Sequence, residues 1–201
     1  MLIPLTPDVL LAAYRRGLFP MADPKTRAVD WYAPDPRAIL PLDGFRVSRS
    51  LRRACRSGGF EVWSDRDFEG TIDGCAARRE TWISPQIRAA YAALHRLGHA
   101  HSVEAWRDGA LVGGLYGVHA GGAFMGESMF HRATDASKVA LVALVAAMRR
   151  RGFALLDIQF MTRHLYSFGA MEITRAEYLR RLAAALRLSP AWPSGRLPCE
   201  P

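Results

Sequence analysis

Cysteine is scarce. The 201 residues hold three, Cys55, Cys75 and Cys199, odd in number and without close-set pairs, which speaks against a disulfide framework and against a zinc knuckle. Also missing is any charge-free apolar run long enough to cross a bilayer, and no basic stretch with an apolar run and a small-residue cleavage site opens the chain. A reducing compartment is therefore expected, the cytoplasm, with no membrane partner. Internal repeats and low-complexity segments are lacking as well. What is present is a chain half hydrophobic, enough to bury an ordinary core without staples.

Positive charge is carried almost entirely by arginine, 27 Lys+Arg standing against 19 Asp+Glu for a net +8. The excess favours a polyanionic partner without naming one. Between Arg46 and Arg56 lie five arginines and no acid. On a helix, Arg49, Arg52, Arg53 and Arg56 share one face while Leu51, Ala54 and Cys55 point the other way. Such a face is either solvated or phosphate-binding, and the segment alone leaves both readings open.

Capping signals divide the chain. Thr6 and Pro7 open a first helix that ends before Gly17. Pro20, Pro24, Pro34, Pro36 and Pro41 then predict an ordered loop without regular structure, pinned by Phe19, Trp31 and Tyr32. Ser48 caps the arginine helix. A strand over 60–64, helices from Asp65 and from Ser84-Pro85, strands over 99–107 and 110–119 joined by a type I′ turn at Asp108-Gly109, and a strand over 123–127 follow. Residues 137–150 are apolar on every face, a buried helix, beside a buried strand over 153–159. A short helix from Thr162, a strand near Met171 and a helix from Arg175 complete the order. Residues 1–47 are read as a small N-terminal subdomain, 48–188 as the catalytic domain and 189–201 as a proline-rich, loose tail. The fold class is α+β, a central mixed sheet flanked by helices, in the element order of the Gcn5-related acyltransferases; fold alone fixes no function.

Several residues could carry chemistry. His99 and His101 have a spacing that metal sites use, but no third ligand is evident, so no metal is expected. Arg149, Gly152 and Ala154 spell a coenzyme A turn, yet at the end of a helix, where Gly152 is a C-cap and the dipole disfavours phosphate. Glu127 closes a core-like strand, and Asp157 and Gln159 interrupt another, sharing one face of it. A carboxylate there is costly unless hydrogen-bonded or used, and a structural network and a catalytic site remain equal readings.

From about Asp8 to Leu186 the chain resembles the leucyl/phenylalanyl-tRNA–protein transferases. The resemblance runs through Ala13-Tyr14, Gly17-Leu18-Phe19-Pro20, Pro34-Asp35-Pro36-Arg37, Val47-Ser48-Arg49-Ser50, Thr81-Trp82-Ile83, Gly98-His99-Ala100-His101-Ser102-Val103-Glu104, Leu111 to Val118, Gly126-Glu127-Ser128-Met129-Phe130, Ala136-Ser137-Lys138, Asp157-Ile158-Gln159 and Gly169-Ala170. It implies transfer of leucine or phenylalanine, with methionine as a third candidate, from aminoacyl-tRNA to the N-terminal Lys or Arg of acceptor proteins. The product is marked for degradation, and no cofactor is implied; apart from the resemblance, a monomer is expected. By the same resemblance Asp157 and Gln159 orient amine and ester, with Asp157 able to relay a proton, and Glu127 holds the amine or the cationic acceptor. Leu115, Leu141, Leu144, Met148 and Leu156 line the side-chain pocket, Tyr14 and Trp82 meet the terminal adenosine, and Arg49, Arg52 and Arg53 track tRNA phosphates. Met21 stands where many members carry tryptophan, and Ile158, in place of a cysteine or threonine, is expected to face away from the site. Two other readings compete: a coenzyme A-dependent acetyltransferase and a non-catalytic tRNA-binding module.

Overall fold

A computed structural model describes residues 5–200; residues 1–4 and 201, the outer ends of the expected subdomain and tail, lie outside it. Helix α1 (Pro7–Tyr14) starts where the Thr6 hydroxyl accepts the Val9 N–H. The proline-rich segment that follows is more regular than its composition predicts. Strands β1 (Phe19–Ala22) and β2 (Val29–Tyr32) form a two-stranded antiparallel sheet, and β3 (Arg37–Ile39) enters the main sheet. Pro24, Pro34, Pro36 and Pro41 fall between strands, and Pro20 sits in a ribbon with two free edges, where a missing N–H is tolerated.

The next elements fall close to their predicted places: α2 (Arg49–Arg56), β4 (Glu61–Ser64), α3 (Phe68–Ala76), α4 (Pro85–Arg96), β5 (Ala100–Arg107), β6 (Ala110–Ala120), β7 (Ala123–His131), α5 (Ala136–Arg151), β8 (Leu155–Gln159), α6 (Arg163–Tyr166), β9 (Met171–Ile173) and α7 (Arg175–Ala185), and a strand that the sequence does not predict, β10 (Gly195–Leu197), follows in the tail. Asp108 and Gly109 both have positive φ, as a type I′ turn requires. Gly152 ends α5 in the left-handed conformation, its N–H donating to carbonyls of that helix, so the coenzyme A letters mark a C-cap.

Eight strands form one mixed sheet in the order β10-β4-β5-β6-β7-β8-β3-β9. Neighbours are antiparallel except β7 and β8, which α5 connects as a parallel crossover. One face buries Leu10, Tyr14, Ile72, Ile87, Tyr91 and Leu182 from α1, α3, α4 and α7. The other is covered by α5, whose residues from Ala136 to Met148 are nearly all buried, with Leu51 of α2 beside it. This is the mixed sheet between helices that the sequence predicts.

Two expectations about the tail fail. β10 pairs with β4, and Trp192 stacks on His101 at 4.3 Å and on Phe124 at 4.9 Å while donating to the Ser64 hydroxyl at 2.8 Å. The tail is thus packed, and it carries Cys199 to α2, where Cys55 and Cys199 form a disulfide across 144 residues of sequence. Nothing in the spacing of the cysteines could show this, because β10 brings them together.

Candidate active site

Strands β7 and β8 pair through Ala123↔Leu155, Phe124↔Leu156 and Met125↔Asp157 and no further, although β7 runs on to His131 and β8 to Gln159. A cavity of about 430 Å³ lies where they part, within the size range of small-molecule sites. Its walls hold Gly126, Glu127, Ser128 and Met129 from β7 and Leu156, Ile158 and Gln159 from β8, with Leu115 and Tyr116 of β6, Leu141 and Leu144 of α5, and Arg78 and Trp82 from the α3–α4 connection. Parting strands leave backbone groups without ladder partners beside the opening, so the site is polar at its rim and leucine-lined in its floor.

Glu127 and Gln159 meet across the gap. The Gln159 amide donates to Glu127 Oε1 at 3.0 Å, and the Tyr91 hydroxyl donates to Oε2 at 3.0 Å. Tyr91 is bonded in turn to the hydroxyl of Tyr14. Burial, aided by the negative charge of Asp157, pushes the Glu127 carboxyl up to about 7, against the opposing pull of the Tyr91 hydrogen bond and the Arg37 charge. Its protonation thus changes in the range where a general base works.

Asp157 is not in the wall. It is wholly buried, and four donors fill it: Arg37 Nε at 2.9 Å and the Gln159 N–H at 2.9 Å on Oδ1, Arg37 Nη2 at 2.6 Å and the Tyr178 hydroxyl at 2.8 Å on Oδ2. Arg37 is 1% exposed and lies over the rings of Phe19 and Tyr178. The expectation that Asp157 and Gln159 share one face fails for a local reason. Gln159 has φ +56°, which breaks the alternation of the strand, so Gln159 joins Leu156 and Ile158 at the cavity while Asp157 points to Arg37. Ile158, expected to face away, lines the cavity.

Of the other residues singled out in the sequence, Leu115, Leu141, Leu144, Leu156 and Trp82 are in the wall. Met148, one turn beyond Leu144 on α5, is fully buried in the core outside it. Tyr14 is also buried, at 1% exposure, and reaches the site through Tyr91. Arg49, Arg52 and Arg53 are exposed on α2, which packs on α5. His101 has acceptors for both ring nitrogens, Asp65 at 2.7 Å and the Gly98 carbonyl at 3.1 Å, and His95 Nδ1 faces the Ala100 carbonyl at 2.8 Å. The structure therefore does bring ligands to His101 that its sequence spacing did not show: Asp65, His95 and His101 offer ligand atoms that all lie within 4.8 Å of one another, while His99 lies just before β5. Sequence reasoning missed Arg37, Arg78, Tyr91, Tyr116 and Tyr178. Arg37 and Tyr116 had a signal, since both lie in stretches that carry the resemblance, Pro34-Asp35-Pro36-Arg37 and Leu111 to Val118; Tyr91 and Tyr178 read as ordinary helix residues and had none.

An apolar cavity at a parting of sheet strands, with a partly buried carboxyl raised to about 7 at its rim, has the features of an enzyme site. Comparison with known proteins makes this particular. The profile described as leucyl/phenylalanyl-tRNA protein transferase matches residues 39–183, and that of the N-terminal domain of the same transferase matches residues 4–35. Proteins named leucyl/phenylalanyl-tRNA–protein transferase from Ruegeria pomeroyi and Salinibacter ruber are 58% and 53% identical, over 90% and 94% of this chain and 87% and 83% of theirs. The chain belongs to the leucyl/phenylalanyl-tRNA–protein transferase family, a family of enzymes. Among solved structures, L-PGS from Bacillus licheniformis is 13% identical with a TM-score of 0.43, covering 94% of this chain and 64% of that one. A likeness of that size defines no shared fold.

Proposed function

We propose that this protein moves leucine or phenylalanine from aminoacyl-tRNA to the α-amino group of proteins that begin with Lys or Arg, in the cytoplasm and as a monomer, and so marks them for degradation. The observation that carries the reading is the cavity itself. Its floor of Leu115, Leu141, Leu144 and Leu156 suits a leucyl or phenylalanyl side chain, and Glu127 and Gln159 stand at its rim.

The chemistry needs little else. An aminoacyl ester is already activated, so no nucleotide or cofactor is demanded, and the enzyme has to align ester and amine and hold the developing oxyanion. The amine nitrogen attacks the ester carbonyl carbon, the C–N bond forms, and the bond to the terminal ribose oxygen breaks. Glu127, with its carboxyl near 7, takes the proton that the amine sheds and returns it to the ribose oxygen. Gln159, whose amide is no base, orients the reactants. Asp157 acts one step removed: its lone pairs are occupied, and by accepting the Gln159 N–H it fixes the turn that aims Gln159. That shifts the proton-relay role from Asp157 to Glu127. Trp82 offers a ring to the terminal adenine. Tyr14, buried behind Tyr91, supports Glu127 in place of contacting adenosine. Arg49, Arg52 and Arg53 present an exposed cationic face to tRNA phosphates.

We also assign the sheet to a Gcn5-related variant, on the strength of β5, β6 and β7 in antiparallel order, the α5 crossover and the parting from β8. The coenzyme A alternative loses its pyrophosphate turn at Gly152, where a helix C-terminus stands.

The test follows labelled phenylalanine from charged tRNA onto a peptide with N-terminal Arg, beside the same peptide N-acetylated, without ATP or coenzyme A. Transfer to the free peptide alone is expected. Inertness with both phenylalanyl- and leucyl-tRNA would leave the silent tRNA-binding module or the acetyltransferase, which acetyl-coenzyme A binding would separate.

A further inference from the structure

Buried polar side chains in folded proteins nearly always find partners, because an unbonded hydroxyl in the interior destabilises the fold. Among the described residues, three buried side-chain atoms meet none: Thr71 Oγ1, Tyr116 OH and His164 Nε2. Two of the three belong to residues that line the cavity, Tyr116 and His164. Tyr116 is the stronger case, since it is 0% exposed and stands on β6 opposite Ser128, next to Glu127. A register irregularity between Tyr116 and Gly117 marks the same point of the β6–β7 pairing. Its ring lies edge-on to Tyr91, centroids 5.5 Å apart. The contrast between the two tyrosines is informative: Tyr91 gives its hydroxyl to Glu127, while Tyr116 gives its own to nothing.

We propose that Tyr116 is a catalytic residue, its hydroxyl donating a hydrogen bond to the carbonyl oxygen of the aminoacyl ester as that oxygen becomes the tetrahedral oxyanion. As the amine forms the C–N bond, the carbonyl π pair moves onto the oxygen and is held by the Tyr116 O–H. The pair returns to the carbon when the bond to the ribose oxygen breaks, and the phenol keeps its proton throughout. Burial and the nearby Glu127 charge hold this phenol protonated well beyond neutral pH, as a donor requires. The inference rests on the transfer reading above.

Tyr116→Phe in the full-length enzyme removes only the unpartnered oxygen. The expected result is a kcat for transfer from phenylalanyl-tRNA lower by about 10²–10³-fold, with KM for the charged tRNA unchanged and a melting temperature equal to or above that of the wild type. Thr71→Val, which removes an unpartnered hydroxyl in α3 outside the cavity wall, should leave kcat unchanged. A loss in kcat of less than about tenfold, far below that of an oxyanion donor, would overturn the proposal and mean that water or nothing meets the hydroxyl. So would a larger loss accompanied by a lower melting temperature or a raised KM, the mark of a structural role. Failure of the wild type to transfer in the same assay would instead bring down the transfer reading, and Tyr116's role with it.

Discussion

Two carboxylates on neighbouring strands, Asp157 on β8 and Glu127 on β7, are alike in the sequence and opposite in the structure. Asp157 is 0% exposed and accepts from four donors, two of them on one arginine. Glu127 accepts from two, Tyr91 and Gln159, and burial drives its carboxyl up to about 7. A carboxylate whose lone pairs are filled by a bidentate guanidinium, a phenol and a backbone amide is a strut. One with spare acceptor capacity beside a cavity is available to a substrate. The difference lies in hydrogen-bond saturation, and a count of acids near the site would miss it.

The comparison breaks most sharply at Arg37. Arg37→Met leaves Asp157 as a buried charge short of its cationic partner, and urea unfolding should show a loss of about 3–5 kcal/mol. A loss under about 1 kcal/mol, the worth of an exposed pair, would mean that Asp157 is no strut and would return it to the chemistry. Next in size is the triple replacement of Arg49, Arg52 and Arg53 by Ala. It should weaken tRNA binding and lower the slope of log affinity against log salt by roughly two to three, at about 0.7–0.9 per phosphate contact, and an unchanged slope would remove α2 from the tRNA surface.

Leu144→Phe narrows the floor of the cavity. It should cut kcat/KM for phenylalanine relative to leucine by roughly tenfold or more, as one or a few methylene groups do in an apolar pocket; an unchanged ratio would put the transferred side chain elsewhere. The smallest effect sharpens the other half of the comparison. Because the folded protein raises the Glu127 carboxyl from its ordinary 4.5 to about 7, the folded state binds the proton more tightly than the unfolded chain. Stability contributed by protonated Glu127 is therefore present below about pH 4.5 and lost as pH rises through about 7. Glu127→Gln should flatten that decline in thermal melts and abolish an inflection near pH 7 in kcat/KM. A profile that keeps its inflection in the variant would assign it to another group.

Much of the fold was legible because its signals are local. Thr6, Ser48 and Ser84 cap the helices that follow them, Asp108-Gly109 makes the hairpin, and the all-round apolar run near 137–150 is the buried helix. The proline-rich segment misled because prolines can sit between short strands as well as prevent them. In the site, Glu127 and Gln159 stood out as polar groups in core-like strands, and four of the five leucine and methionine positions named by the resemblance line the cavity. Met148 fell outside it because a position one turn along a helix is enough to leave a cavity.

Sequence by itself determined the elements from α2 to α7, the cationic face of α2 and the residue types of the site, since periodicity, caps and turns act over a few residues. Only the tertiary structure decided which acid is free. Arg37 and Asp157 are 120 residues apart and Tyr91 and Glu127 are 36 apart, so their pairing depends on the insertion of β3 beside β8 and on α4 packing against the sheet. The positive φ of Gln159 and the parting of β7 from β8, which open the cavity, likewise exist only once the strands are assembled. Desolvation and hydrogen-bond saturation are properties of a packed environment, and no window of sequence contains one.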